Sequence, residues 1–338
     1  MGTLYQGAKN AVEVCMAVKP GEHILIVTDK DTHTVGNALK HATEEITPRV
    51  EMFILEDYGE RPLTFLPKEI TNAIPHADVT FWAAECEEGE MHALRDPFLE
   101  TALKYARHAH MPNITQRIMQ EGMCSDYEKI SEVTKKLYEL VKDAKRIDIT
   151  NPAGTKLRVE FNPKLRWKGY DGIFHKKGEW GNLPEGELFT APQNCNGHMI
   201  IDELGDWFSK KYGCLTRPES DSDTPVHIDI ENSRVKNLKC ANPSLERELL
   251  KYLKTDENSN RVGEFALPTN IELMMKPLIE NLLQDEKTRV HLAFGEPWPD
   301  ETGANWKSKT HVDGLMKKCS VWVDGKKIMR NDRYLIKL

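Results

Sequence analysis

The sequence predicts an α/β domain with a mostly parallel sheet over residues 1–145, followed by an α+β domain over residues 146–338. Three observations carry this division. The first 145 residues alternate short apolar runs with segments of helical periodicity, the pattern of strands joined by helical crossovers. Residues 146–161 then alternate apolar and polar positions around Asn151-Pro152-Ala153-Gly154, which signals an antiparallel hairpin. Beyond it, strand-like runs outnumber helical ones and potential metal ligands accumulate.

In chain order, Ala8, Val12, Cys15 and Met16 give Met1–Lys19 the spacing of an amphipathic helix, without the charged and apolar regions of an export signal. His23–Thr28 reads as a buried strand and Asp31–Glu45 as a helix. Val50–Leu55 and Asp78–Ala83 read as further strands, with helices at about 91–107 and 126–143. The pair His108 and His110 falls at the end of the first of these helices and is expected to be a solvated cap. In the second domain strands are expected at 198–202, 226–230, 290–294 and 320–324, with helices at 245–254 and 271–284. Glycine and proline punctuate 163–195, which suggests loops pinned over a site.

Composition excludes several classes. A net charge of -7 leaves no basic stripe to neutralise phosphates, so nucleic acid is not an expected partner. The pairs at Lys307 and Lys309, and at Lys317 and Lys318, read as solvated faces. No apolar run approaches the roughly 20 residues that cross a bilayer, so no membrane association is expected. The seven cysteines form no CxxC pair, which argues against a cysteine zinc site and for reduced thiols in a cytoplasmic protein. Cys195 lies near His198 and is a candidate nucleophile by residue type alone.

Five potential metal ligands lie in short ordered stretches: Glu187, Glu264, His291, His311 and Asp313. In an extended segment His311 and Asp313 point the same way and can reach one ion together. His291 sits in an apolar run with the look of a buried strand. Glu187 and Glu264 are flanked by glycine and apolar residues, where burying a carboxylate is costly unless a cation or donor satisfies it. Imidazole with carboxylates suits zinc, manganese, cobalt or iron rather than copper(I). His227 and Asp229 repeat the two-apart spacing, but in a simple alternating strand with one face toward solvent.

Several strings together resemble the aminopeptidase T family of metallo-aminopeptidases. They are Gly181-Asn182-Leu183-Pro184-Glu185-Gly186-Glu187, Gly263-Glu264-Phe265-Ala266-Leu267-Pro268, Asp285-Glu286-Lys287 leading into His291-Leu292-Ala293-Phe294-Gly295, and His311-Val312-Asp313. Asn151–Thr155 resembles the hairpin that opens that family's catalytic domain. The resemblance is specific over about 146–330 and general before that. It implies a two-metal hydrolase, with zinc, cobalt or manganese held by Glu187, Glu264, His291, His311 and Asp313. Glu264 would bridge the ions and take part in catalysis, and Glu296 is a candidate base or further ligand. It also implies a homodimer acting on the amino-terminal residue of a peptide or on a related small molecule. Where the family carries a tyrosine after the histidine motif, this chain has Trp298, whose indole N–H donates but cannot shuttle a proton.

The same superfamily includes 2,5-dihydroxypyridine dioxygenase, which this chain resembles in the His311 and Asp313 pair. That resemblance implies a mononuclear Fe(II) site with two histidines and one carboxylate. Glu264 stands where that enzyme's further histidine is expected, and His291 is retained, so the peptidase-like arrangement ranks first. A third expectation is a non-peptidase scaffold that binds a small metabolite, with Trp167, Tyr170, Trp180, Trp298 and Trp306 as pocket or core aromatics.

Overall fold

The computed structural model describes residues 2–87, 89–205, 207–216 and 223–337. The chain divides into two compact units, Met1–Ser131 with Asp171–Glu185, and Glu132–Tyr170 with Gly186–Leu338. The hairpin that suggested a boundary at 145 lies inside the second unit. The segment after Tyr170 returns to the first.

The first unit is built on five parallel strands in the order Val50–Ile54, Ile24–Thr28, Val79–Ala83, Arg107–His110, Trp180–Asn182. Ile24, Leu25, Ile26 and Val27 are all buried, as expected of a strand covered on both faces. The amino-terminal helix runs Leu4–Lys9 and continues as a wider turn to Cys15, with Ala8, Val12, Cys15 and Met16 buried. Thr3 and Gln6 close it with a reciprocal capping box.

Two expectations fail here. His108 and His110 are not a solvated helix cap: the helix ends at Tyr105 and both histidines lie buried in the strand Arg107–His110. His108 Nδ1 meets Thr80 Oγ1 at 2.8 Å, and its Nε2 lies 3.3 Å from His110 Nδ1. Burial pushes the His108 ring down to about 3, so both rings of this pair are held neutral. The segment 163–195 is also more than loop, since it contains Lys168–Tyr170, Trp180–Asn182 and Glu187–Thr190. Trp180–Asn182 completes the parallel sheet, and its pairing to His108–His110 comes from a partner far away in sequence.

The second unit holds two antiparallel sheets. One has eight strands, including the expected hairpin Arg146–Thr150 and Lys156–Glu160. Asn151 Oδ1 accepts from the N–H groups of Gly154 and Thr155 and fixes that turn. The other has six strands in the order Glu203–Leu204, His311–Met316, Val290–Gly295, Val262–Pro268, Glu187–Thr190, Lys168–Tyr170. A helix over 271–284 does not form. Lys276 is extended before Pro277, which leaves a single turn at Leu273–Met275 and a short helix at Leu282–Asp285. No helix among the described residues is long and apolar enough to cross a membrane.

Candidate metal centre

The six-stranded sheet has two chemically distinct faces. Phe265, Leu267, Val290, Leu292, Phe294 and Val312 point from one face into a continuous apolar core. Residues of the other parity point from the opposite face, and they include all five candidate ligands. Register sets their layout. Glu264, Ala293 and Asp313 share one rung across three strands; Ala266 faces His291, Gly295 faces His311, and Pro268 faces Glu187. Each ligand therefore has a small or ring-closed neighbour on its rung. That leaves room for the long donors to converge.

A bulge makes this possible. Val262 pairs with Phe294 while Glu264 pairs with Ala293, so the register shifts at Gly263. In a regular strand Val262 and Glu264, two apart, would share a face; the bulge puts them on opposite faces, so Val262 joins the core and Glu264 turns to the site. A Cβ on Gly263 would lie 2.5 Å from the Gly295 carbonyl oxygen, so only glycine fits the bulge.

The imidazoles are presented as ligands are. His291 Nδ1 lies 3.1 Å from the Arg289 carbonyl oxygen, and His311 Nδ1 lies 3.0 Å from that of Glu296. A carbonyl only accepts, so both Nδ1 atoms carry a proton, and Nε2 is the atom each ring turns into the site and would offer to an ion. His291 Nε2 is 3.6 Å from Glu187 Oε2, 3.7 Å from Glu264 Oε1 and 3.9 Å from Asp313 Oδ1. His311 Nε2 is 3.6 Å from Glu264 Oε2 and 3.4 Å from Asp313 Oδ1. These separations are long for hydrogen bonds. They are close to the roughly 3–3.5 Å between donors that share an ion at bonds of ~2.0–2.2 Å. Ligand atoms of Glu187, Glu264 and His291 all lie within 4.8 Å of one another.

Electrostatics point the same way. Glu187, Glu264, Asp313 and Glu286 bring four carboxyl groups together, and Lys287 brings one buried ammonium. Its Nζ lies 2.7 Å from Glu187 Oε1 and 2.8 Å from Glu286 Oε1. Burial alone would lower the His291 ring, yet Glu264, Asp313 and Glu187 outweigh it and lift the ring to about 9. For His311 burial is likewise outweighed, mainly by Asp313 and Glu264, and the ring rises to about 10. Burial raises Glu286 to about 7 despite Lys287. Asp313 is held below the usual carboxylate range: burial would raise it, but His311, His291 and Lys287 prevail. A pocket that draws protons onto both histidines has a deficit of positive charge, and a divalent cation supplies that charge at the same atoms. The donor set fits such an ion.

Around the donors, Tyr252 brackets the His311 backbone, its hydroxyl accepting from the N–H and donating to the carbonyl, both at 3.1 Å. Trp298 Nε1 donates to Glu264 Oε2 at 3.1 Å. Glu296 takes part through its backbone carbonyl, while its carboxylate accepts from the Ser308 N–H at 2.6 Å. Lys287 and Tyr252 had no role assigned from sequence. The first lies in the Asp285-Glu286-Lys287 motif, and only a tertiary contact connects the second to His311.

Other candidates lie elsewhere. Cys195 is buried, and burial pushes its thiol up to about 12, which leaves no thiolate for attack. His198 pairs with Asp229 at 2.8 Å on an adjacent strand of the eight-stranded sheet, beside His227.

Fold and site together define a metalloenzyme-like scaffold with a carboxylate- and imidazole-lined centre. Residues 113–261 match the family described as 2,5-dihydroxypyridine 5,6-dioxygenase, and residues 226–331 match the thermophilic metalloprotease family (M29). The resemblance drawn from the motifs is thereby borne out. No curated protein sequence matches the chain. Among solved structures, 2,5-dihydroxypyridine dioxygenase from Pseudomonas putida KT2440 is similar with TM-score 0.70 and 13% identity, over 99% of this chain and 97% of that one. AmpT from Thermus thermophilus is similar with TM-score 0.69 and 17% identity, over 98% and 99%. Both share the mixed α/β fold, with its parallel sheet and antiparallel sheets.

Proposed function

We propose that the chain is a metal-dependent hydrolase of aminopeptidase type, holding divalent ions on Glu187, Glu264, His291, His311 and Asp313. One observation carries this reading: Glu264 offers Oε1 to His291 and Oε2 to His311, the posture of a carboxylate shared between two ions. Glu187 and His291 stand on one side of it, and His311 on the other. Asp313 reaches toward both histidines.

Zinc, cobalt or manganese bound there would supply Lewis acidity, polarising a carbonyl and acidifying a water. The chain's own residues prepare the site. Lys287 occupies one oxygen of Glu187 and leaves the other facing His291. The carbonyls of Arg289 and Glu296 fix both histidine tautomers, and Trp298 restrains Glu264 by its N–H. We assign Glu264 to ligation. Glu296 acts by holding His311, since its carboxylate is engaged with Ser308.

The second reading is a mononuclear Fe(II) ring-cleaving dioxygenase, favoured by the family match over 113–261. That span includes Glu187 but none of the other four residues. The metalloprotease match over 226–331 includes Glu264, His291, His311 and Asp313, which supports the hydrolase reading. A cytoplasmic homodimer acting on peptides or related amides goes with it.

Metal content of protein purified without chelator, paired with a screen of aminoacyl-amide hydrolysis, tests the choice. About two zinc, cobalt or manganese ions per chain with hydrolysis supports the first reading. A single iron without hydrolysis replaces it with the second.

A further inference from the structure

Trp298 has a conformation and exposure that packing does not explain. Its backbone is left-handed, with φ 52° and ψ 66°, a region that bulky side chains rarely enter without strain. The surroundings hold it there. Pro297 and Pro299 restrict the chain on both sides. The Thr302 hydroxyl donates to the Pro297 carbonyl at 2.7 Å, and the Thr302 N–H donates to the Trp298 carbonyl at 2.8 Å.

What this arrangement presents is unusual for a tryptophan. Its polar atom is turned to Glu264, while 40% of the residue stays exposed. The ring lies 5.1 Å from the His311 ring, tilted by 54°. A large apolar surface is thus kept against two candidate ligands in an otherwise charged site, at a cost in backbone strain and in hydration. The indole neither titrates nor carries a proton, so its contribution is a fixed donor and a flat face.

We propose that Trp298 is a substrate-recognition residue: the indole N–H fixes Glu264, and the exposed ring receives an aromatic or other flat apolar side chain carried by the substrate. This rests on the hydrolase reading and deepens it to a substrate class, amides whose amino-terminal residue is apolar and preferably aromatic. Stacking and burial of a second ring against Trp298 provide the preference.

The test uses the cobalt-loaded protein and two chelating probes, L-phenylalanine hydroxamate and glycine hydroxamate, with affinities measured by calorimetry. Their metal-binding groups are the same, so the ratio of affinities reports the side-chain site. We expect phenylalanine hydroxamate to bind roughly ten-fold tighter or more, the scale of filling an apolar pocket. Trp298→Gly suits the left-handed backbone and removes ring and donor together; it should abolish that ratio and weaken cobalt binding as well. Trp298→Phe keeps a ring and loses the donor; it should retain the preference while weakening cobalt binding.

Equal affinities for the two probes in the native protein would overturn the proposal. So would a preference that survives in Trp298→Gly, or one that vanishes in Trp298→Phe. Hydrolysis of phenylalanine amide and glycine amide separates this inference from the reading beneath it. A Trp298-dependent preference with neither amide cleaved removes the hydrolase reading and leaves recognition standing. Cleavage of both amides with no probe preference does the reverse.

Discussion

His311 reaches the centre with its backbone bracketed by Tyr252 and its Nδ1 on the Glu296 carbonyl, so the ring is aimed before any ion arrives. His311→Ala should therefore lower metal affinity by about two orders of magnitude or more, taking as a floor the loss caused by disturbing a ligand's outer partners. Elemental analysis should find less metal and the amide screen no activity, with an unchanged circular dichroism spectrum. Unaltered metal content in the variant would remove His311 from the ligand set. Lys287 is a different case, a buried ammonium between two carboxyl groups. Lys287→Met keeps the length but strands Glu187 beside Glu286, a change of about 3–5 kcal/mol for a broken buried pair. Melting of the chelator-treated protein should fall by several degrees, and added metal should recover part of the loss. A metal-free melting temperature equal to the native one would show that Lys287 carries no such charge balance.

At the level of elements, the six-stranded sheet separates its tasks by parity, with apolar residues to the core and donors to the site. Ala293 is the small residue on the rung between Glu264 and Asp313. Ala293→Val suits a strand by propensity but places two methyl groups where the donors converge. Overpacking of this kind costs about 1–3 kcal/mol, and metal binding should be lost in a protein that still folds. Retained metal stoichiometry would show that the rung is not the floor of the centre. In the parallel sheet, the strand Arg107–His110 carries a pH dependence. The folded His108 ring lies near 3, below its unfolded value of about 6.5. Its contribution is thus fully present above that unfolded value and declines as pH falls toward the folded one. The loss is up to about 1.4 kcal/mol per pH unit. The urea midpoint should drop between pH 7 and pH 5, and His108→Gln should flatten that slope. An equal slope in the variant would assign the acid lability to other groups.

For the whole molecule, an ion that binds only the folded centre stabilises it by mass action, about 2.7 kcal/mol at a hundred times its dissociation constant. Chelator should lower the melting temperature by a few degrees, at roughly 1–2 °C per kcal/mol for a chain of this size. Zinc, cobalt or manganese should restore it, whereas calcium, which prefers six to eight oxygen ligands, should not. A melting curve indifferent to chelator and to added metal would show that the centre holds no ion. The division of the chain matters to how such a protein folds. The second unit contains all five candidate ligands but is built from two stretches of sequence, since Asp171–Glu185 belongs to the first unit.

The sequence by itself determined the residue types and their local period. The parallel strands at Ile24 and Val79, the hairpin at Asn151 and the two-apart pair of His311 and Asp313 were all legible there, because each depends on neighbours within a few residues. The candidate ligands were legible through motif order, and their residue chemistry already limited the kind of ion. Long-range pairing decided the rest. Arg107–His110 became a strand because Val79–Ala83 and Trp180–Asn182 flank it, which no local period announces. The Gly263 bulge turned Glu264 from the core face to the site face, and the small residues at Ala266, Ala293 and Gly295 became meaningful only once register placed them beside the donors. Lys287 and Tyr252 joined the centre for the same reason: a hydrogen bond across 100 or 59 residues is a property of packing, and a local sequence pattern holds no record of it.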